Sequence, residues 1–147
     1  MSSTLTRLLV HIVFSTRDRL PLITPDVRSQ LYEYIRGIVH RKGASLFEIG
    51  GMPDHAHLLV QIDPTQSLSE LIQHIKGGSS RWVKAHIESF YWQRGYGAFS
   101  VSESNRAVVE RYIQNQEKHH AHHAFQSEFI QLLRRHGVPY EDEHLWD

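Results

Sequence analysis

The chain has 147 residues and a mass of 17.1 kDa, one domain's worth, and its 40% hydrophobic and 22% charged residues suffice for a core and exclude a disordered chain. Sixteen Lys and Arg balance sixteen Asp and Glu, twelve residues are histidine and none is cysteine, so disulfides, zinc ribbons, iron–sulfur sites and thiol nucleophiles are excluded. Any metal site must therefore use His with Asp, Glu, Asn or Gln, and zero net charge argues mildly against binding nucleic acid by bulk electrostatics.

Along the chain, strands and helices alternate. The stretch 8–16 (LLVHIVFST) is rich in β-branched and aromatic residues and reads as a buried strand. Arg7, His11 and Arg17 interrupt or flank it, and no small-residue cleavage site follows, so it is not read as a signal peptide. No apolar run approaches the length of a membrane span, and the expected compartment is the cytoplasm. Thr24 and Pro25 open a helix carrying Val27, Leu31, Ile35 and Ile38, stopped by Gly43. Residues 45–50 (SLFEIG) and 55–62 (HAHLLVQI) read as strands joined by a short turn, an antiparallel hairpin. Ser67 with Glu70 forms a capping box for the next helix, which Gly77-Gly78 should interrupt or weaken before it resumes through Trp82, Val83 and Ile87. Residues 98–102 (AFSVS) form a short fourth strand. A helix from Ser104 and Asn105 and a last helix over 125–136 follow, and residues 140–147 make an acidic tail.

The order β-α-β-β-α-β is the ferredoxin-like split β-α-β pattern. The expected fold is α+β: an antiparallel sheet with helices on one face, plus C-terminal helices, in a single domain over residues 1–147.

Two local features carry chemistry. Residues two apart on a strand share a face, so His55 and His57 project together while Ala56 faces away. Two such imidazoles can converge on one divalent metal, although two partly exposed sheet histidines fit the spacing as well. Tyr112 and Gln116 stand four apart, on one face of a helix. A tyrosine hydroxyl beside a metal-ligating amide could attack a phosphodiester bound to that metal. A core tyrosine with a solvent-facing glutamine is the plainer reading of that pair alone.

Together these features resemble the single-tyrosine HUH enzymes. More narrowly, the chain resembles the IS200-like transposases of the smallest bacterial insertion sequences. The resemblance runs through LLVHIVFSTRDR, PDHAHLLV, SELIQHIKGGSSRWV, WQRGYGAFSVS, VERYIQNQEKHH and FQSEF. It implies that His55, His57 and Gln116 hold Mg²⁺ or Mn²⁺ and that Tyr112 is the nucleophile. It also implies a substrate of single-stranded DNA bearing hairpins near the element ends. Cleavage would leave a 5′-phosphotyrosine and a free 3′-hydroxyl, and that hydroxyl would later rejoin strands without water or a high-energy cofactor. The resemblance further implies a homodimer, in which the tyrosine helix of one subunit can serve the histidines of the other. Gly95, Gly97 and the serines around 100–104 could give that helix a mobile attachment. A domesticated relative acting on repetitive extragenic hairpins is the alternative within the family; a hairpin-binding protein without cleavage is the alternative outside it.

Arg17, Arg19, Lys76, Arg81 and Lys84 are candidates for DNA phosphate contacts, each against the reading of a solvated basic face. His119, His120, His122 and His123 read as a polar helix end, where imidazoles suit the dipole. On this reading the metal site is two imidazoles and one amide, hence neutral, and the other ten histidines stand outside it. Trp82, Trp92 and Tyr96 read as core, and Asp54 as either an orienting partner of His55 or a turn residue. The charge is uneven: residues 141–147 hold four acids and no Lys or Arg, which leaves the rest of the chain at +4. DNA recognition through local phosphate contacts and hairpin shape is thus expected, without a broad basic field.

Overall fold

The computed structural model describes residues 2–146; Met1 and Asp147, the last residue of the acidic tail, lie outside them. Four strands, β1 (Leu9–Ser15), β2 (Ser45–Met52), β3 (His55–Gln61) and β4 (Gly97–Val101), form one antiparallel sheet in the order β2-β3-β1-β4. That order is the ferredoxin-like one expected from the sequence. The helices α1 (Pro25–Arg41) and α2 (Leu68–Lys84) cover one face. Ile12, Phe14, Ala56, Leu58 and Val60 point into this layer and meet Leu31, Ile35, Leu71 and Ile75.

The opposite face is covered too. The remaining α-helices among the described residues are α3 (Arg106–Gln114), α4 (Gln116–His120) and α5 (Phe125–Arg135). Ile113 of α3 packs on Leu9 and Leu59, while Phe125, Leu132 and Leu133 of α5 pack on Val13 and Phe99. Period-2 alternation explains both layers: the odd-numbered residues of β1 and β3 face the C-terminal helices and the even-numbered ones face α1 and α2. The functional side chains lie on the odd face.

Local signals explain most boundaries. The Ser67 hydroxyl accepts from the Glu70 amide at 3.3 Å and caps α2. Thr24 behaves differently, since its hydroxyl bonds the Asp26 carboxylate and α1 starts on Pro25. The β2–β3 turn needs only Pro53 and Asp54, because Met52 already pairs with His55. Backbone bonds from Thr16 N–H to the Asp54 carbonyl and from Ile23 N–H to the Pro53 carbonyl pin this turn. The strand β4 begins at Gly97 and pairs along β1, so residues 97–101 are sheet and not a mobile attachment.

One expectation fails at Gly77-Gly78. The helix α2 runs unbroken from Leu68 to Lys84 and ends before Ile87. A side chain at position 78 would place its Cβ 2.7 Å from Ile38 Cδ1, so the glycine is there to let α1 and α2 approach. Helix packing here outweighs the local cost of glycine, roughly 1 kcal/mol. Urea unfolding should separate the two glycines. Gly78→Leu is expected to lose about 1–3 kcal/mol by overpacking. Gly77→Ala, whose Cβ meets only Arg81 Nη1 at 3.7 Å, should gain up to about 1 kcal/mol of helix propensity. Equal effects at the two positions would contradict this reading.

Candidate active site

His55 and His57 sit on β3, face the C-terminal helices together, and are fully buried. Their Nδ1 atoms point outward to fixed partners. His55 Nδ1 lies 2.7 Å from the Asp54 carboxylate, and His57 Nδ1 lies 2.8 Å from Nε2 of the buried His11 on β1. Asp54 is therefore both a turn residue and the orienting partner of His55. The two Nε2 atoms point inward. There they meet Glu128 Oε1, at 3.4 Å from His55 and 3.0 Å from His57.

Gln116 is 1% exposed, and its Oε1 lies 3.0 Å from His55 Nε2. Tyr112 and Gln116 do not share one continuous helix, because the chain breaks at Asn115 between α3 and α4. The break keeps them adjacent: Gln116 Nε2 donates to the Tyr112 carbonyl at 3.4 Å. The Tyr112 ring stands 5.6 Å from the His57 ring, and its hydroxyl donates to Glu128 Oε2. One chain thus brings Tyr112, His55, His57 and Gln116 together.

Two further residues enter the cluster, and the sequence reading left both outside. Glu128 on α5 is 2% exposed, so a carboxylate lies in the middle of the site and the site is not neutral. His120 Nε2 lies 3.0 Å from Gln116 Oε1 and 3.2 Å from Glu128 Oε1. A signal for Glu128 was present: Phe125, Glu128 and Leu132 share the core-facing stripe of α5, where a carboxylate needs partners. For His120 the signal was its place four residues after Gln116.

The electrostatics follow from this packing. Burial disfavours a charge on His55, but the Asp54 and Glu128 carboxylates outweigh it and lift its pKa to about 9. Burial holds His57 below its ordinary value and pushes His11 down to about 3. Burial alone would raise the Glu128 pKa, yet its hydrogen bonds to His120, His55 and His57 win and keep it ionised. Burial, and then the Glu128 charge, push the Tyr112 hydroxyl well above its ordinary value. The donor atoms of His55, His57, His120 and Glu128 all lie within 4.8 Å of one another, a group that could hold a metal ion. A groove of about 660 Å³ opens beside it, lined in part by Arg28, Tyr32, Gly50, Gln116 and Lys118.

Comparison with known proteins identifies the family. The family model of IS200-like transposases matches residues 4–116. The chain belongs to the IS200-like transposases. It is 26% identical to the ISDra2 transposase TnpA of Deinococcus radiodurans over 114 residues, 72% of this chain and 81% of that one. It is 27% identical to the transposase of insertion sequence IS200 from Salmonella typhimurium, over 72% of this chain and 74% of that one. A crystal structure of a candidate transposase from D. radiodurans R1 superposes with a TM-score of 0.65 at 27% identity, covering 79% of this chain and 95% of that chain. A REP-associated tyrosine transposase bound to a REP hairpin shares the fold, with a TM-score of 0.58 at 15% identity, over 78% of this chain and 72% of that chain.

The basic candidates of this transposase divide. The Arg17 guanidinium and the Lys84 ammonium lie 4.4 and 3.9 Å from the centre of the exposed Tyr91 ring. Arg19 lies over the Trp146 ring, and Arg81 is exposed on α2. Lys76 is engaged otherwise: its Nζ donates to the carbonyls of Gln93 and Gly95 at 2.6 and 2.7 Å, and burial lowers its pKa to about 8. It fastens the 93–95 loop. Of the three aromatics read as core, Trp92 is buried, Trp82 is half-buried against Tyr34, and Tyr96 is exposed.

Proposed function

We propose that this transposase cleaves and rejoins single-stranded DNA at insertion-sequence ends through a 5′-phosphotyrosine on Tyr112. The observation that carries this reading is the Tyr112 hydroxyl held against the buried His55–His57–Gln116 cluster within one chain. The donor set fits a divalent metal, Mg²⁺ or Mn²⁺, with His55, His57 and Gln116 as its holders. When bound, the metal supplies Lewis-acid polarisation of the scissile phosphate. In the attack, the Tyr112 oxygen gives up its proton and bonds to phosphorus, the bond from phosphorus to the 3′-oxygen breaks, and that oxygen takes a proton to become the 3′-hydroxyl for the later strand transfer. The substrate is read as a hairpin-bearing strand in the bacterial cytoplasm. Arg17 and Lys84, flanking Tyr91, and Arg19 and Arg81 serve as phosphate contacts. The active unit is a homodimer, the commonest symmetric assembly. No helix among the described residues is long and apolar enough to cross a membrane.

The test is a denaturing gel after incubation with Mg²⁺ or Mn²⁺ and single-stranded DNA from the element ends. A covalent protein–DNA band that EDTA abolishes supports the reading. Hairpin binding without an adduct, from folded protein with metal present, would leave only a binding protein. Metal linkage gives a second measurement. Mn²⁺ at a hundred times its dissociation constant adds about 2.7 kcal/mol of stability. For a chain of this length that raises the unfolding midpoint by roughly 5–11 °C. A midpoint that ignores Mn²⁺ at every concentration would remove the metal from the mechanism.

A further inference from the structure

The family segment at residues 4–116 stops short of α5. Yet α5 delivers the single carboxylate at the centre of the site. We infer that Glu128, together with His120, completes the metal-ligand set, making it three imidazoles, one amide and one carboxylate. This rests on the metal site proposed above and names further holders of the same ion.

Three observations support it. The first is orientation. His55 donates from Nδ1 to Asp54, His57 turns its Nδ1 to His11, and His120 donates from Nδ1 to the His123 carbonyl. A carbonyl only accepts, so His120 carries a proton on Nδ1 and turns its Nε2 inward. Nδ1 atoms fixed outward with Nε2 atoms turned inward are how proteins orient histidine ligands.

The second is charge. The Nε2 atoms of His55, His57 and His120 converge on one oxygen of an ionised carboxylate, and hydrogen bonds from these imidazoles hold it. Lone pairs and carboxylate repel unless a cation, proton or metal ion, sits among them. Isolated burial of that carboxylate would cost several kcal/mol.

The third is distance. Metal–ligand bonds near 2.1 Å place adjacent ligands about 3.0 Å apart at right angles and about 3.4 Å apart in a tetrahedron. The separations from Glu128 Oε1 to His57, His120 and His55 are 3.0, 3.2 and 3.4 Å, and Gln116 Oε1 lies 3.0 Å from both His55 and His120. Each of these separations is one that two ligands of a single ion can have, and the whole donor group lies within 4.8 Å, so a small inward shift suffices to close on an ion. Its imidazole content suits Mn²⁺ better than Mg²⁺, which prefers oxygen ligands. Glu128 Oε2 remains free of that shell and holds the Tyr112 hydroxyl, so one side chain ties the nucleophile to the metal.

The experiment measures Mn²⁺ binding to the full-length protein, by calorimetry and by the electron paramagnetic resonance of the ion, without DNA. Glu128→Gln and His120→Asn are each expected to weaken Mn²⁺ at least tenfold and to change the spectrum of the bound ion. Glu117→Gln, an exposed neighbour paired with Arg28, is the control and should bind as the parent does. Wild-type affinity and spectrum in both Glu128→Gln and His120→Asn would overturn the inference while leaving the metal site of His55, His57 and Gln116 standing. Absence of Mn²⁺ binding by the parent would overturn both. Should Glu128→Gln fail to fold, His120→Asn decides alone, since His120 is less buried and makes no bond to Tyr112.

Discussion

Tyr112→Phe is expected to abolish the covalent protein–DNA adduct, by at least about 10³-fold, in a protein that still folds and still binds metal. Removing a nucleophile that acts with its partners as a unit costs this much or more. The fold should tolerate the change. The ring stays, packed with Val109 and Phe47 around Ile113 and Leu59. The hydroxyl donates to Glu128 Oε2, which keeps the Gln116 amide as a donor at 3.2 Å. The loss is therefore one hydrogen bond, about 1 kcal/mol. Chemistry and stability separate at this atom, and that makes the substitution decisive. The measurement is adduct yield over time on a hairpin-bearing strand, beside urea unfolding of the same sample. Undiminished adduct in Tyr112→Phe would place the nucleophile elsewhere.

How much of this was legible in the sequence depends on the range of the interaction. The order of strands and α1–α2 follows from local period and capping: the Ser67 cap, the Pro25 start and the two-residue turn at Pro53-Asp54 are near-neighbour effects. His55 and His57 were legible for the same reason, because strand alternation alone puts them on one face. Gly78 was misread because its reason is the Ile38 side chain on another helix. Glu128 was missed because its reason is the docking of α5 beneath β1 and β4, which brings residue 128 to His55 and His57 across 73 and 71 positions. The histidines at 119–123 were weighed by local composition as a helix end. His120 instead turns inward, since the break at Asn115 redirects α4 toward the sheet. Lys76 was read as a candidate phosphate contact because the Gln93 and Gly95 carbonyls that hold its ammonium lie 17 and 19 positions away.

The same logic identifies the residue that sets the reach of Tyr112. Gly50 on β2 pairs with His57, and a Cβ there would stand 2.4 Å from the Ile113 carbonyl oxygen and 3.0 Å from Ile113 Cγ2. The last turn of α3 thus rests directly on the strand beside a proposed metal ligand, one residue from the nucleophile. Gly50→Val must lift that turn, because the Ile113 carbonyl is backbone and cannot rotate away. A shift of about 1 Å in a reacting group costs on the order of 10²-fold in rate. The stability effect should be far smaller. Valine favours an edge strand by up to about 1 kcal/mol over glycine, against an overpacking loss of about 1–3 kcal/mol. Gly50→Val is therefore expected to fold, to keep His55 and His57 in place on β3, and to form adduct about a hundredfold more slowly. Rates of adduct formation at saturating DNA and metal, with urea unfolding alongside, test this. An unchanged rate would mean that α3 yields without moving Tyr112, and that Tyr112 is positioned by its bond to Glu128 instead of by the strand beneath it.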